Sequence, residues 1–173
     1  MGSVHLELLG EAHLGALGAM LSDPDVLRFT RVPEPAPADF PQQWLATYEA
    51  GRRDGTREAF AALDGDGRLV GLALAFGIDR EEGEAELGYI VMPEARGRGV
   101  GTAILGALTD WAFAATAVER IRLVVDVENP ASLRVAERSG YVREGVMRSV
   151  PIKNGRRIDA VLLSRLRSDP ARP

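Results

Sequence analysis

The 173-residue sequence contains no cysteine. That single absence excludes disulfides, thiol nucleophiles and cysteine-ligated zinc together. Histidine is scarce as well: His5 and His13 fall in the first predicted strand and helix without a partner in the sequence around them, and two imidazoles alone do not make a metal site. No stretch approaches the ~18 consecutive apolar residues that a membrane helix needs. The opening Met1-Gly2-Ser3-Val4-His5-Leu6 lacks the basic region and apolar run of a secretory signal, and Leu6 stands where a myristoylation site wants Ser or Thr. Lysine occurs once, as Lys153, so that arginine supplies 20 of the 21 basic side chains. The expectation is a cytoplasmic protein without metal or membrane partner.

Apolar residues make up 46% and charged residues 27%, the balance of one globular domain with a sizeable core. A net charge of −4 argues against a general nucleic-acid binder, whose affinity comes from neutralising phosphates. The charge is unevenly spread. Residues 1–90 carry 7 basic and 16 acidic side chains, and residues 91–173 carry 14 and 9. Such a split suits an anion held by the second half and a cation met by the first.

Val4, Leu6 and Leu8 alternate with polar neighbours as a half-buried strand. Leu14, Leu17 and Leu21 then fall at helical spacing within Glu11–Leu21. Five prolines between Pro24 and Pro41 predict a stiff connector with neither a central strand nor a long helix. Gln42–Arg53 resumes a helix with Trp44, Leu45 and Tyr48 inward. Glu58–Leu63, Arg68–Ile78 and Glu84–Met92 read as an antiparallel meander, its first turn made by Asp64-Gly65-Asp66-Gly67. A helix over Gly99–Ala115 follows, with Val100, Ile104, Ala107, Leu108 and Trp111 as its apolar stripe. Next come a strand over Ile121–Val127 and a short helix over Pro130–Ser139. A closing hairpin, Arg143–Ile152 and Arg157–Leu166, turns at Lys153-Asn154-Gly155. The tail from Ser168 is expected to be disordered. The order gives an α/β (α+β) domain over residues 1–167, with a mixed central sheet of about seven strands, antiparallel in its first half, and about four flanking helices.

The most informative stretch is Pro93-Glu94-Ala95-Arg96-Gly97-Arg98-Gly99-Val100-Gly101-Thr102. A strand ends, a glycine-rich loop follows and a helix begins. Glycines let backbone N–H groups approach a ligand, and the helix start adds unpaired donors and a positive dipole end, so the arrangement suits a phosphate. Arg96 and Arg98 add permanent charge. A nucleoside-triphosphate loop would need Lys and then Ser or Thr after its last glycine; Thr102-Ala103 follows Gly101 here. A dinucleotide fingerprint would need glycine at the sixth position from Gly97, which is Thr102, and a βαβ unit in place of a meander.

Arg96, Gly99 and Gly101 do fit R-x-x-G-x-G. This resembles the pyrophosphate loop of the Gcn5-related N-acetyltransferases, and the element order from Val4 to Leu166 is similar to that family. The stretch from Asp126 to Tyr141 is similar to the family's second coenzyme-A motif, in the branch of ribosomal-protein alanine and spermidine N-acetyltransferases. Asn129 is in any case a good helix cap, Pro130 suits the first helical position, and Gly140 suits the end. The resemblance implies acetyl-coenzyme A as cosubstrate, bound by Ile90, Val91, Met92, Arg96, Gly97, Arg98, Gly99, Val100, Gly101, Thr102, Asn129 and Ser132. Backbone groups of Ile90 and Met92 would then pair with the pantetheine arm, and an N–H near Val91 would face the acetyl oxygen. Many family members carry a tyrosine acid seven residues after the Asn. That position is Ala136 here, and Ser132 is the implied partner of the leaving sulfur. Glu86 falls where the histone-acetylating members carry their base, and period two sets it beside Gly88, which leaves room for a ligand. The candidate base of the ribosomal-protein branch corresponds to Pro151 here, which counts against ribosomal-protein substrates. The implied activity is direct acetyl transfer to a primary amine, of a small molecule or a protein N-terminus, by a monomer or homodimer. A non-catalytic acyl-CoA-binding or regulatory module is the alternative.

Overall fold

A computed structural model describes residues 4–170. Seven strands form one sheet, ordered β1-β2-β3-β4-β5-β7-β6. They are β1 His5–Leu8, β2 Arg57–Leu63, β3 Leu69–Asp79, β4 Glu84–Val91, β5 Arg120–Asp126, β6 Val142–Lys153 and β7 Arg156–Leu166. The helices are α1 Leu14–Leu21, α2 Pro24–Phe29, α3 Phe40–Asp54, α4 Val100–Ala115 and α5 Pro130–Arg138. Every strand pair is antiparallel except β4 and β5. The seven expected strands are therefore present, and the described residues form five α-helices in place of about four.

The additional helix lies inside the segment read as a connector. Asp23 caps α2, its carboxylate accepting from the Val26 N–H at 3.0 Å, and Pro24 occupies the first turn. Proline is excluded from a helix interior but fits its first turn, where the missing N–H has no partner to lose. Pro41 does the same for α3, which begins at Phe40. Proline count overstated the barrier because position, not number, decides.

Alternation along the strands sorts the two faces. Trp111 of α4 packs edge-on against Phe60 of β2, with ring centroids 4.9 Å apart, and Ile104 of α4 lies over Gly71 of β3. Ala73 and Tyr89 share that face through the register Phe60↔Ala73↔Tyr89. Glu86, Gly88 and Ile90 point to the other side, where Phe76 lies against Gly88. Leu72, Ile104, Leu105, Leu108, Ile121 and Leu163 are completely or almost completely buried in the core. The apolar stripe of α4 is centred on Ile104, Leu105 and Leu108, while Ala107 of the expected stripe is only half-buried.

The closing hairpin turns through Asn154 and Gly155, both at positive φ (49° and 71°), the geometry whose twist matches the flanking strands. Its tip is fastened to the α2 region. The buried Lys153 ammonium donates to the carbonyls of Leu27 and Val32 (2.8 Å for Val32), and Asn154 donates to the Glu34 carbonyl at 2.9 Å. After β7 the chain makes a turn in which Leu166 N–H donates to Asp169 at 2.8 Å; the remainder of the expected tail, residues 171–173, lies outside the described residues.

Candidate functional site

The parallel pairing of β4 and β5 is short. It joins Glu84, Ala85 and Glu86 to Arg120, Ile121 and Arg122 and then stops. β5 continues against β7 as far as Asp126, and β4 continues against β3 as far as Val91. The two strands therefore diverge, and residues 87–91 of β4 present an edge with no strand beside it. In an antiparallel ladder the backbone groups of successive residues point alternately to the two neighbours. Met92 N–H donates to the Val70 carbonyl at 2.9 Å. Ile90, two residues earlier, therefore also turns its backbone toward β3, and Tyr89 and Val91 turn theirs toward the gap. This revises the expectation that Ile90 and Met92 offer the free backbone groups; alternation counted from the Val70 bond shifts the role by one residue.

The gap opens into a cleft of about 460 Å³. One wall is Tyr89–Val91. The floor is the loop Arg96–Gly97 and Gly99–Thr102, and the opposite wall is Asn129, Ser132 and the exposed face of α5. Val26 and Phe29 of α2, with Thr30 just after it, form a rim. The structure thus brings together Ile90, Val91, Arg96, Gly97, Gly99, Val100, Gly101, Thr102, Asn129 and Ser132. Met92, Arg98 and Glu86 lie outside the lining. Met92 is buried behind β4, and Arg98 is exposed, donating to the Glu94 carbonyl at 2.6 Å.

Gly99 caps α4 with φ 80° and ψ 2°, a left-handed conformation that costs other residues about 1–2 kcal/mol. The N–H groups that follow it, at the start of a 16-residue helix, are the donors a helix cannot satisfy internally, and they carry the positive end of its dipole. Gly101 has a different task. A Cβ there would sit 3.2 Å from Val135 and 3.3 Å from the Tyr89 ring, so its missing side chain lets α4 start against both β4 and α5.

Arg96 does not point freely into the cleft. Its guanidinium holds Asp23 at 2.6 Å and Asp25 at 3.1 Å, and its Nε donates to the Val91 carbonyl at 3.3 Å. Burial acts to raise the Asp23 carboxyl, but the Arg96 and Val26 N–H bonds outweigh it and hold that group below the ordinary carboxylate range. Arg96 therefore ties the glycine loop to the start of α2. The cleft gains other cations that the sequence reading missed, Arg134 and Arg138, one turn apart on α5. Their i, i+4 spacing after the Asn129 cap was the available signal.

Ser132 lies in the first turn of α5, its N–H donating to Asn129 Oδ1 at 3.1 Å. Its hydroxyl meets the phenol of Tyr89 across the cleft at 3.0 Å. Burial pushes the Tyr89 phenol up to about 12, with the Ser132 bond acting in the opposite direction. Ala136, within α5, is fully buried on the helix's inner face. Tyr141 follows the helix end as its buried partner, and its phenol also meets Thr109 of α4 at 2.8 Å. Glu86 is held on the opposite face of β4, accepting from Arg122 Nε at 3.1 Å, with its side chain 18% exposed. Among the described residues no group of His, Asp and Glu is placed to hold a metal ion. No described helix is long and apolar enough to cross a membrane.

A mixed sheet that splits between its parallel strands, above a glycine-capped helix start, defines a protein class built to hold an extended ligand with an anionic end. Residues 4–142 match the family described as acetyltransferase (GNAT) domain, and the chain belongs to that family. It is 32% identical over 120 residues to YdaF of Bacillus subtilis (strain 168), to which a ribosomal N-acetyltransferase activity is ascribed, and 29% identical over 109 residues to the spermidine N(1)-acetyltransferase of Vibrio cholerae. The aligned stretches cover 65% and 63% of this chain and 66% and 63% of those relatives' length. The fold matches that of the V. cholerae spermidine N-acetyltransferase solved with CoA and spermine, with TM-score 0.83, 24% identity and 96% of both chains covered. A ribosomal L7/L12 α-N-protein acetyltransferase solved with coenzyme A superposes with TM-score 0.85 at 20% identity, covering 95% of this chain and 94% of the other.

Proposed function

We propose that this chain transfers the acetyl group of acetyl-coenzyme A directly to a primary amine, of a small molecule or a protein N-terminus. The observation that carries the reading is the β4–β5 divergence opening onto the N-terminus of α4. An extended acyl-pantetheine chain would complete the edge of β4 as an added strand, using the Tyr89 backbone and the Val91 N–H, since the Val91 carbonyl already accepts from Arg96. The N–H groups after Gly99 would receive the pyrophosphate. Arg134 and Arg138 at the cleft mouth suit further phosphate charge. Both structural neighbours were solved with coenzyme A, which supports the same ligand. A cytoplasmic location suits the use of acetyl-coenzyme A as cosubstrate.

Transfer needs a neutral amine, an acceptor for its proton and stabilisation of the departing thiolate. Ser132, in the cleft wall, is assigned to the thiolate. Glu86 is assigned as base, acting through water, because it lies on the strand that borders the gap. The other reading, a non-catalytic acyl-CoA-binding module, is favoured by Ala136, which stands where many family members carry the tyrosine acid, and by Glu86 being tied to Arg122 outside the cleft lining.

An amine panel with acetyl-coenzyme A and thiol detection separates the two. Release of thiol with a primary amine supports transfer; tight acetyl-coenzyme A binding with no release for any amine supports the module. With the best amine in hand, Glu86→Gln should lower turnover by ~10²–10⁴-fold. That defect should shrink as pH rises toward the amine's own pKa, because more substrate then arrives neutral. A defect constant with pH would remove Glu86 from the role of base.

A further inference from the structure

Tyr89 was not singled out by any sequence signal, yet its phenol is the hydrogen-bond partner of Ser132 Oγ, at 3.0 Å. Two walls contribute: Tyr89 comes from β4 and Ser132 from the first turn of α5, and both line the cleft. The ring is fixed in place, since the Gly101 backbone lies so close that an added Cβ would be 3.3 Å from it. On the other wall, the Asn129 cap fixes the turn that carries Ser132.

A pair of hydroxyls at this distance shares one proton in the bond between them and leaves the other proton free. A phenol is a stronger acid than an aliphatic alcohol and so is the better donor. Burial pushes Tyr89 up to about 12, so it keeps its proton throughout the physiological range. Tyr89 then donates, Ser132 accepts, and the Ser132 hydroxyl proton is directed away from Tyr89. Hydrogen bonds in such a chain strengthen one another in a low-dielectric site.

We propose that Tyr89 is a positioning residue acting through Ser132: its phenol orients and polarises the Ser132 hydroxyl, which donates to the thiolate released when the thioester is cleaved. This rests on the acetyl-transfer reading. The carbonyl carbon gains a bond to nitrogen and loses its bond to sulfur, and the electron pair stays on sulfur. The proton shed by the amine passes to water and in the end reaches sulfur. Tyr89 and Ser132 keep their own protons and contribute hydrogen bonds alone.

The test is an ultraviolet titration of the thiolate of coenzyme A bound to the wild-type protein and to the Tyr89→Phe, Ser132→Ala and double variants. Phenylalanine keeps the ring against Gly101, so the fold and the coenzyme A affinity measured by calorimetry should be retained. Ser132→Ala removes a hydrogen bond to a charged group, which implies an upward shift of about one pH unit in the bound thiol, a tenfold change, and Tyr89→Phe, which removes only the strengthening of that bond, should shift it upward about twofold. The double variant should titrate like Ser132→Ala alone, because Tyr89 then has nothing to act through. With an amine acceptor, Tyr89→Phe should lower kcat about twofold, less than Ser132→Ala does, and leave the KM for acetyl-coenzyme A unchanged. A bound thiol unmoved by Tyr89→Phe, or shifts that add fully in the double variant, would overturn the proposal. Wild-type protein that acetylates no amine but shows the Tyr89-dependent thiol shift would refute the transfer reading and leave the hydroxyl chain standing. Failure to bind coenzyme A would remove both.

Discussion

Replacing Gly99 by aspartate places a carboxylate at the mouth of α4, where the pyrophosphate is proposed to lie. Two effects must be separated. Gly99 has φ 80°, so any side chain there costs folding stability of about 1–2 kcal/mol. Asp tolerates this conformation better than most and is a favourable neighbour for a helix start, so the domain should remain folded. The second effect is charge. One added negative charge ~5–6 Å from a phosphate, at an effective dielectric of about 20, costs about 3 kcal/mol, or ~100-fold in affinity. Because Gly99 is exposed, that penalty should weaken with salt as the Debye length falls from ~30 Å at 0.01 M to ~10 Å at 0.1 M. Gly99→Ala carries the backbone strain without the charge. Calorimetric titration with acetyl-coenzyme A at two salt concentrations should therefore show Gly99→Ala near wild type and Gly99→Asp much weaker, with the gap between them narrowing as salt rises. Equal weakening in both variants would assign the effect to loop geometry. Full affinity in a folded Gly99→Asp protein would refute the phosphate assignment.

Two further perturbations test how the site is held. In Gly71→Ala the new Cβ would lie 2.3 Å from the Ile90 carbonyl oxygen and 2.6 Å from Ile104. Since the first neighbour is backbone in the ladder that forms the cleft wall, a loss of about 3 kcal/mol is expected, and an unchanged urea midpoint would contradict the packing described. Glu144 pairs with Arg120 at 2.6 Å and accepts from Ser164 at 2.7 Å, bonds that bring its carboxyl down to about 2. A folded-state value below the unfolded one stabilises fully above the unfolded-state value of ~4.3 and less as pH falls through that range toward 2. Glu144→Gln should therefore lower the thermal midpoint at pH 7 and have a shrinking effect toward pH 2; a difference constant over that range would refute the assignment.

The sequence by itself determined the element order, because period-two and helical patterns depend on which residues lie close along the chain. It also located the glycine loop, since Gly99 and the helix start behind it are sequence neighbours whose geometry is local. The Asn129 cap was legible for the same reason, and so was the Asn154-Gly155 turn. Position within a turn was harder to read. Prolines 24 and 41 looked like helix breakers until the caps showed that each sits where a helix begins. Only the tertiary structure decided which side chains meet across the gap. Arg96 finds Asp23 over 73 positions of chain, and Tyr89 finds Ser132 over 43. Whether Glu86 faces an acceptor or an arginine depends on Arg122, brought alongside by the brief parallel pairing of β4 and β5. The cleft exists because that pairing ends after Glu86. No local pattern encodes where two strands well separated in the chain will part; that is decided only when the folded chain brings them side by side.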